Sequence, residues 1–170
     1  DIMLLRRLEM NFDWYTRTTS DILGAGDKFP AVVGTSAPTK NSGKLQTNGW
    51  EFSAKWLSNP RKEFRYDVSF VLSDYQSKII KFGGNPHKLL SSLYEGQKMG
   101  EIWGFETAGI FQSTEEIEKA PSQNDIYSGI WYPGDTKYKD LNGDNKIGYG
   151  SSSVDDPGDR KIIGNNTPHY

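Results

Sequence analysis

The chain has 170 residues, with 20 Lys and Arg against 22 Asp and Glu and a formal net charge of −2. Only 35% of it is hydrophobic and its mean hydropathy is −0.69, so no run approaches the ~20 apolar residues of a membrane helix. The charges are interspersed, with no basic stripe of the kind nucleic acid requires. Cysteine is absent, which removes disulfide frameworks, cysteine zinc sites and thiol catalysis.

The opening Asp1-Ile2-Met3-Leu4-Leu5-Arg6-Arg7 lacks the signal-peptide order of basic, apolar, then small residues. A piece of a longer chain is expected. Leu8, Met10, Phe12 and Trp14 alternate with Glu9, Asn11 and Asp13, the period of a strand with one apolar and one wet face. Gly24 to Asp27 and Phe29-Pro30 break it, and residues 34–44 are a loop by composition. Trp50, Phe52, Ala54 and Trp56 repeat the alternation, as do Tyr66, Val68, Phe70 and Leu72 after the turn Ser58-Asn59-Pro60-Arg61. The pattern predicts antiparallel strands over about 6–19, 46–58 and 63–80, with Met10, Phe12, Trp14, Trp50, Phe52, Trp56, Tyr66, Val68 and Phe70 on one face. A membrane-barrel strand needs about 9–11 residues of apolar-out, polar-in alternation. A soluble sheet with one face on a core shows the same period. Little that follows is able to cover so broad an apolar sheet, which favours the barrel.

Residues 83–170 read differently. Glu101 to Glu106 and Gly109 to Phe111 are short strands rich in Gly and aromatics, and His87 to Tyr94 is either a helical turn or extended. Ser113-Thr114-Glu115-Glu116 is a capping box, opening a short helix near 114–120 that stops at Ala120-Pro121. Trp103, Trp131 and Tyr132 are candidate stacking platforms for a ring-shaped ligand, although aromatics beside Gly more often pack loops.

Asp140-Leu141-Asn142-Gly143-Asp144-Asn145-Lys146-Ile147 carries the strongest site signal. The spacing lets Asp140, Asn142 and Asp144 converge on a hard cation while Lys146 offers its carbonyl, and Ile147 takes the eighth position, where calcium loops bury an apolar residue. The sixth position is Asn145 rather than Gly, and the twelfth is Ser151, which offers no bidentate carboxylate. Spacing alone leaves open a second reading, in which these side chains fold onto their own backbone as Asx-turns. Donors that are all oxygen suit Ca²⁺ in a structural role.

Three stretches together resemble the SusC/RagA family of TonB-dependent outer-membrane transporters. They are Asn41-Ser42-Gly43 with Asn48-Gly49-Trp50-Glu51; Gly100 to Phe105 with Gly109 to Gln112; and Pro133-Gly134-Asp135 running into the acidic loop, then Asp159-Arg160-Lys161-Ile162-Ile163-Gly164-Asn165, with Pro168 and Tyr170. The resemblance covers nearly the whole chain and maps to the C-terminal half of the family's barrel region. It implies a mainly β fold: three long antiparallel barrel-type strands over 1–82, and an extracellular loop segment over 83–170 that leads into the next strand. It implies that residues 148–158 are an insertion that delays the closing acid to Asp159, with Asp155 and Asp156 in reserve. It implies, for a parent chain, import of glycan or peptide oligomers through the outer membrane of a Gram-negative bacterium, with TonB and a SusD-like surface lipoprotein as partners and outer-membrane lipid around the wall.

The contrasting reading is a secreted calcium-dependent carbohydrate-binding module. Enzyme activity is not expected. His87 and His169 are the only histidines, neither beside a patterned partner, and no acid pair stands out among 22.

Overall fold

A computed structural model describes residues 1–24, 39–59, 61, 63–127 and 129–168. Phe29-Pro30, Pro60, His169 and Tyr170 lie outside the described residues.

Four strands form the main sheet: β1 (Ile2–Leu4), β2 (Leu8–Gly24), β3 (Lys40–Leu57) and β4 (Asp67–Phe82), hydrogen-bonded in that order. All pairings are antiparallel. The register puts Leu8 opposite Trp56, Met10 opposite Ala54, Phe12 opposite Phe52 and Trp14 opposite Trp50. Val68, Phe70 and Leu72 continue the same rows. One face is therefore apolar, as the alternation requires. Its rings meet across strands, Phe12 with Trp50 at 6.4 Å and Phe52 with Phe70 at 6.5 Å. The other face carries Glu9, Asp13, Glu51, Lys55 and Ser73. There Tyr15 lies over Gly49, so closely that a Cβ on Gly49 would sit 2.5 Å from the Tyr15 ring.

The strands run further outward than the alternation reaches. β3 begins at Lys40, inside the stretch expected to be a loop, because residues 40–44 pair with the ends of β2 and β4. Ladder pairing overrides a local Gly/Ser composition. Register shifts after Thr19 and between Lys44 and Leu45 mark bulges there. Tyr66 lies just before β4, its backbone bonded to Ser58.

The remaining residues form a smaller unit. β5 (Glu101–Phe105) pairs with β8 (Arg160–Asn165), and β6 (Thr107–Ile110) pairs with β7 (Thr136–Tyr138). α1 (Thr114–Lys119) starts at Ser113, whose Oγ accepts from Glu116 N–H at 3.3 Å. Glu116 reaches back one residue beyond the expected cap, accepting from Gln112 N–H at 2.7 Å. The core here is Phe105, Ile126 and Ile147, flanked by Trp131 and Tyr138.

This unit does not cover the apolar sheet face. Phe12, Trp14, Val68 and Phe70 stay 55–67% exposed. Residues 96–99 instead extend the sheet beside the outer end of β4: Gly96 N–H donates to Ile79 O and Met99 N–H to Ser77 O, both at 2.8 Å.

Candidate functional site

The acidic loop folds on its own side chains. Asp140 accepts from Gly143 N–H at 2.6 Å and Asn145 N–H at 2.8 Å. Asn142 accepts from Asp144 N–H at 3.0 Å, and Asp144 from Lys146 N–H at 2.8 Å. These are nested Asx-turns. They need a left-handed backbone at Gly143 (φ 78°) and at Asn145 (φ 64°), a conformation Asn tolerates better than most residues. Asn145 thus does what Gly does at the sixth loop position. Burial raises the Asp140 pKa, but N–H donors from Asn145, Gly143 and Asp144, together with the Asp159 side chain, outweigh it and hold it below the usual value.

Ile147 at the eighth position is fully buried. Its N–H donates to Ser122 O at 2.7 Å, and Ser122 N–H donates to Asn145 O at 3.1 Å. The loop is pinned to the core from both sides.

Asp159, 1% exposed, comes back to this loop from beyond the insertion. One carboxylate oxygen accepts from Leu141 N–H at 2.8 Å and Asn142 N–H at 3.4 Å, and the other from Gly148 N–H at 2.8 Å. Its own N–H donates to Gly148 O at 3.0 Å. Asp140 and Asp159 are therefore brought together, with Asp159 acting as a latch across the loop ends. Asp156 is not: it accepts from Ser151 N–H at 2.8 Å and Gly158 N–H at 3.4 Å, inside the insertion. Asp155 is exposed on the same turn. Among the described residues no three His, Cys, Asp or Glu side chains are grouped as a metal site. Asp140, Asn142, Asp144 and Asp159 each already accept backbone N–H groups.

The insertion is itself braced. Arg160 donates to Tyr149 O at 2.9 Å, Ser152 Oγ at 3.0 Å and Pro157 O at 3.2 Å, and lies 5.0 Å from the Tyr149 ring centre. Leu90 N–H donates to Ser152 O and Val154 N–H to Lys88 O. Buried Asn85 then ties residues 89 and 93 together through three hydrogen bonds.

The three aromatic candidates divide. Trp103 is half-buried, donating to Tyr94 Oη at 3.1 Å, and the Tyr94 hydroxyl donates to Glu101 at 2.6 Å. Burial first, then that bond, pushes the Tyr94 pKa up to about 12. Trp131 donates to Gln123 O at 2.9 Å and packs edge-on against Tyr127 and Tyr138. Both tryptophans have their indole N–H groups engaged by the chain itself. Tyr132 is open to solvent. The sequence reading passed over Tyr127, exposed at φ 50°, and two hubs. Gln123 holds Thr136 O and Tyr138 N–H. Glu106 is paired with both Lys139 and Lys161, which pull its pKa down to about 2.

No known family description matches the chain. Three curated proteins of Formosa agariphila do: TonB-dependent receptor P3, 29% identical over 96% of this chain; receptor P39, 27% over 94%; and receptor P26, 29% over 83%. The chain spans only 15–18% of their lengths. Among solved structures, the RagAB peptide importer in its closed-closed state matches 96% of this chain and 16% of that one, with a TM-score of 0.52 at 20% identity. That likeness speaks for the fold. Relatives of one kind along nearly the whole chain, on a shared β architecture, bear out the resemblance carried by the motifs: the chain is similar to one part of TonB-dependent receptors.

Proposed function

We propose that this chain serves as wall and outer loop in an outer-membrane importer driven through TonB. The sheet β2–β4 faces lipid on its apolar side, and residues 83–168 stand outside the membrane. The observation that carries this is the open apolar face. Leu8 to Trp14 cover about 20 Å along the strand at ~3.4 Å per residue, roughly 14 Å of membrane depth at a tilt of about 45°, over half of the apolar band of about 25 Å in such barrels. Trp14 and Trp50 rim the band at one end, Trp56 and Tyr66 at the other, as interfacial aromatics do. The β3–β4 connection is short, whereas long segments follow β2 and β4. Barrels of this kind keep short turns inside and long loops outside.

The edges argue the same way. Among the described residues, β2 beyond Met10 and β4 before Ser77 each have one side without a partner strand. Long bare edges suit a sheet continued by neighbouring barrel strands, not a free-standing binding module. Catalysis has no support, since the relatives are receptors. Peptide oligomers as cargo are in keeping with likeness to RagAB, itself described as a peptide importer; glycan oligomers and a surface lipoprotein as lid are proposed from the resemblance of the motifs. Spin labels on Phe12→Cys and Phe70→Cys in the full-length receptor are expected to be open to oxygen and closed to a water-soluble nickel chelate. Labels on Asn11→Cys and Ser69→Cys should show the reverse. Equal access on both faces would remove the wall reading. Loss of growth on oligomeric peptide or glycan in a receptor deletion tests the cargo.

We also propose a structural Ca²⁺ in the acidic loop, supported by Asn145 in the left-handed region and by buried Ile147. Affinity is modest, because Asn142 and Asp144 already satisfy backbone N–H groups. Calorimetry should show Ca²⁺ heat that Asp144→Ala abolishes; identical traces leave only the Asx-turns.

A further inference from the structure

Tyr127 has a backbone that its side chain does not favour. Its φ is 50°, a left-handed conformation that is a genuine outlier for a bulky residue. The turn around it imposes this. Ile126, 1% exposed, is anchored in the core with Phe105 and Ile147. Its N–H donates to Gln123 O at 3.3 Å, and Gly129 N–H donates to Ile126 O at 3.1 Å. The coil is so tight that a Cβ on Gly129 would lie 2.7 Å from Asn124 O. Asn or Gly at position 127 would take this backbone with less strain. Strain of this kind concentrates where ligands are held.

The ring is fixed without being buried. Its centre lies 6.2 Å from that of Tyr138, with the planes only 34° apart. Phe105 and Trp131 meet it edge to face, at 6.5 Å and 6.2 Å. Those contacts set its orientation, yet Tyr127 is 69% exposed. The ring face turned away from Tyr138 is therefore open. Neither cation–ring contact among the described residues involves it. Asn124 and Asp125, in the same turn, are exposed and carry short polar side chains.

A pyranose ring presents a flat patch of weakly positive C–H groups, complementary to the negative face of an aromatic. The hydroxyl groups at its rim both donate and accept hydrogen bonds. We propose that Tyr127 is a stacking platform for one hexopyranose ring of a neutral glycan, with Asn124 and Asp125 binding the hydroxyl groups at its edge. Charge argues for this occupant over a peptide: Asp125 repels the carboxylates a peptide carries and is indifferent to a neutral sugar. The proposal narrows the cargo to glycan and rests on the import reading given above.

The test is calorimetry on the full-length receptor in detergent, with maltohexaose, cellohexaose and laminarihexaose as probes. These are neutral glucose oligomers that differ in linkage, and at least one should give saturable heat. Tyr127→Asn suits the left-handed backbone and removes the ring, so it is expected to weaken binding about tenfold. Tyr127→Phe keeps the ring and should stay within about twofold of wild type. Asp125→Ala, a surface change that leaves the core alone, should weaken binding about fivefold. No saturable heat with any probe overturns the site, and so does wild-type affinity in both Tyr127→Asn and Asp125→Ala. An equal loss in Tyr127→Phe and Tyr127→Asn overturns it too, since the hydroxyl and not the ring would then be at work. Growth of the receptor deletion on the same glycans separates the two readings. Binding governed by Tyr127 with undiminished growth supports the site and refutes glycan import, whereas lost growth without Tyr127-dependent binding refutes only the site.

Discussion

Asp159 shows how one side chain holds the outer segment. Replacing it with Ala leaves the N–H groups of Leu141, Asn142 and Gly148 without their acceptor. A buried donor left unpaired costs about 1–3 kcal/mol; Leu141 and Asn142 are exposed and can turn to water, so the segment should lose roughly the cost of one such donor, about 1–3 kcal/mol. Hydrogen exchange at Leu141 and Gly148 reads this, and unchanged protection would refute the latch. Gly158→Ala is expected to open the same latch from the other side. At φ 65° its Cβ would lie 2.2 Å from Gly148 O, a backbone atom with no rotamer to escape into. Glu106 adds a pH dependence. Its pKa is lowered from 4.5 to about 2 by Lys139 and then Lys161. A depressed carboxylate stabilises the fold above its unfolded pKa and stops doing so as pH falls through the folded one. The bridge is therefore complete above pH 4.5 and lost toward pH 2. A carbon-13 titration should place the Glu106 midpoint near 2, and Lys139→Ala should raise it.

The elements differ in how much of them shows in the sequence. In β2–β4 the apolar period of two is unbroken from Leu8 to Trp14 and from Trp50 to Trp56, so strands, faces and register follow from it. A paired substitution tests that face directly. In the full-length receptor, Phe12→Lys should cost about 2–4 kcal/mol of folding stability, as a cation near the bilayer midplane does. Asn11→Lys, one residue away on the wet face, should cost little. Similar losses would mean that the faces are wrongly assigned. The outer end of β3 was not legible, because Lys40, Asn41, Ser42 and Gly43 carry no period and are extended only by partners at residues 22–24 and 81–82. Nor were Gln123 and Glu106: the partners of Glu106 lie 33 and 55 residues away, a pairing no local pattern encodes. The acidic loop was legible because its bonds are local. Its latch, 18 residues from Leu141, came from the family motif and not from spacing.

At the scale of the whole chain, two bodies of unequal self-sufficiency are joined at the outer end of β4. The outer segment has a core of its own in Phe105, Ile126 and Ile147, with a braced insertion around it. The sheet has almost none: Ile79 is the only hydrophobic residue of β1–β4 among the buried core residues described. Its apolar face has its rings in contact with each other but not with the rest of the chain, and contiguous exposed apolar surface of this extent is rare on a soluble monomer. Water and bare strand edges then act together, since the face drives association and the edges template it. The 170 residues alone in dilute buffer are expected to associate, through the sheet and not through the outer segment. Light scattering should report a mass several times that of one chain, falling to a single chain with bound micelle when detergent is added. Hydrogen exchange in the associated state should show new protection along residues 67–76 of β4 and unchanged protection at Ile147. A stable monomer in plain buffer, with Trp14 quenched freely by iodide, would mean that the face tolerates water and would remove the main physical reason for placing it in lipid.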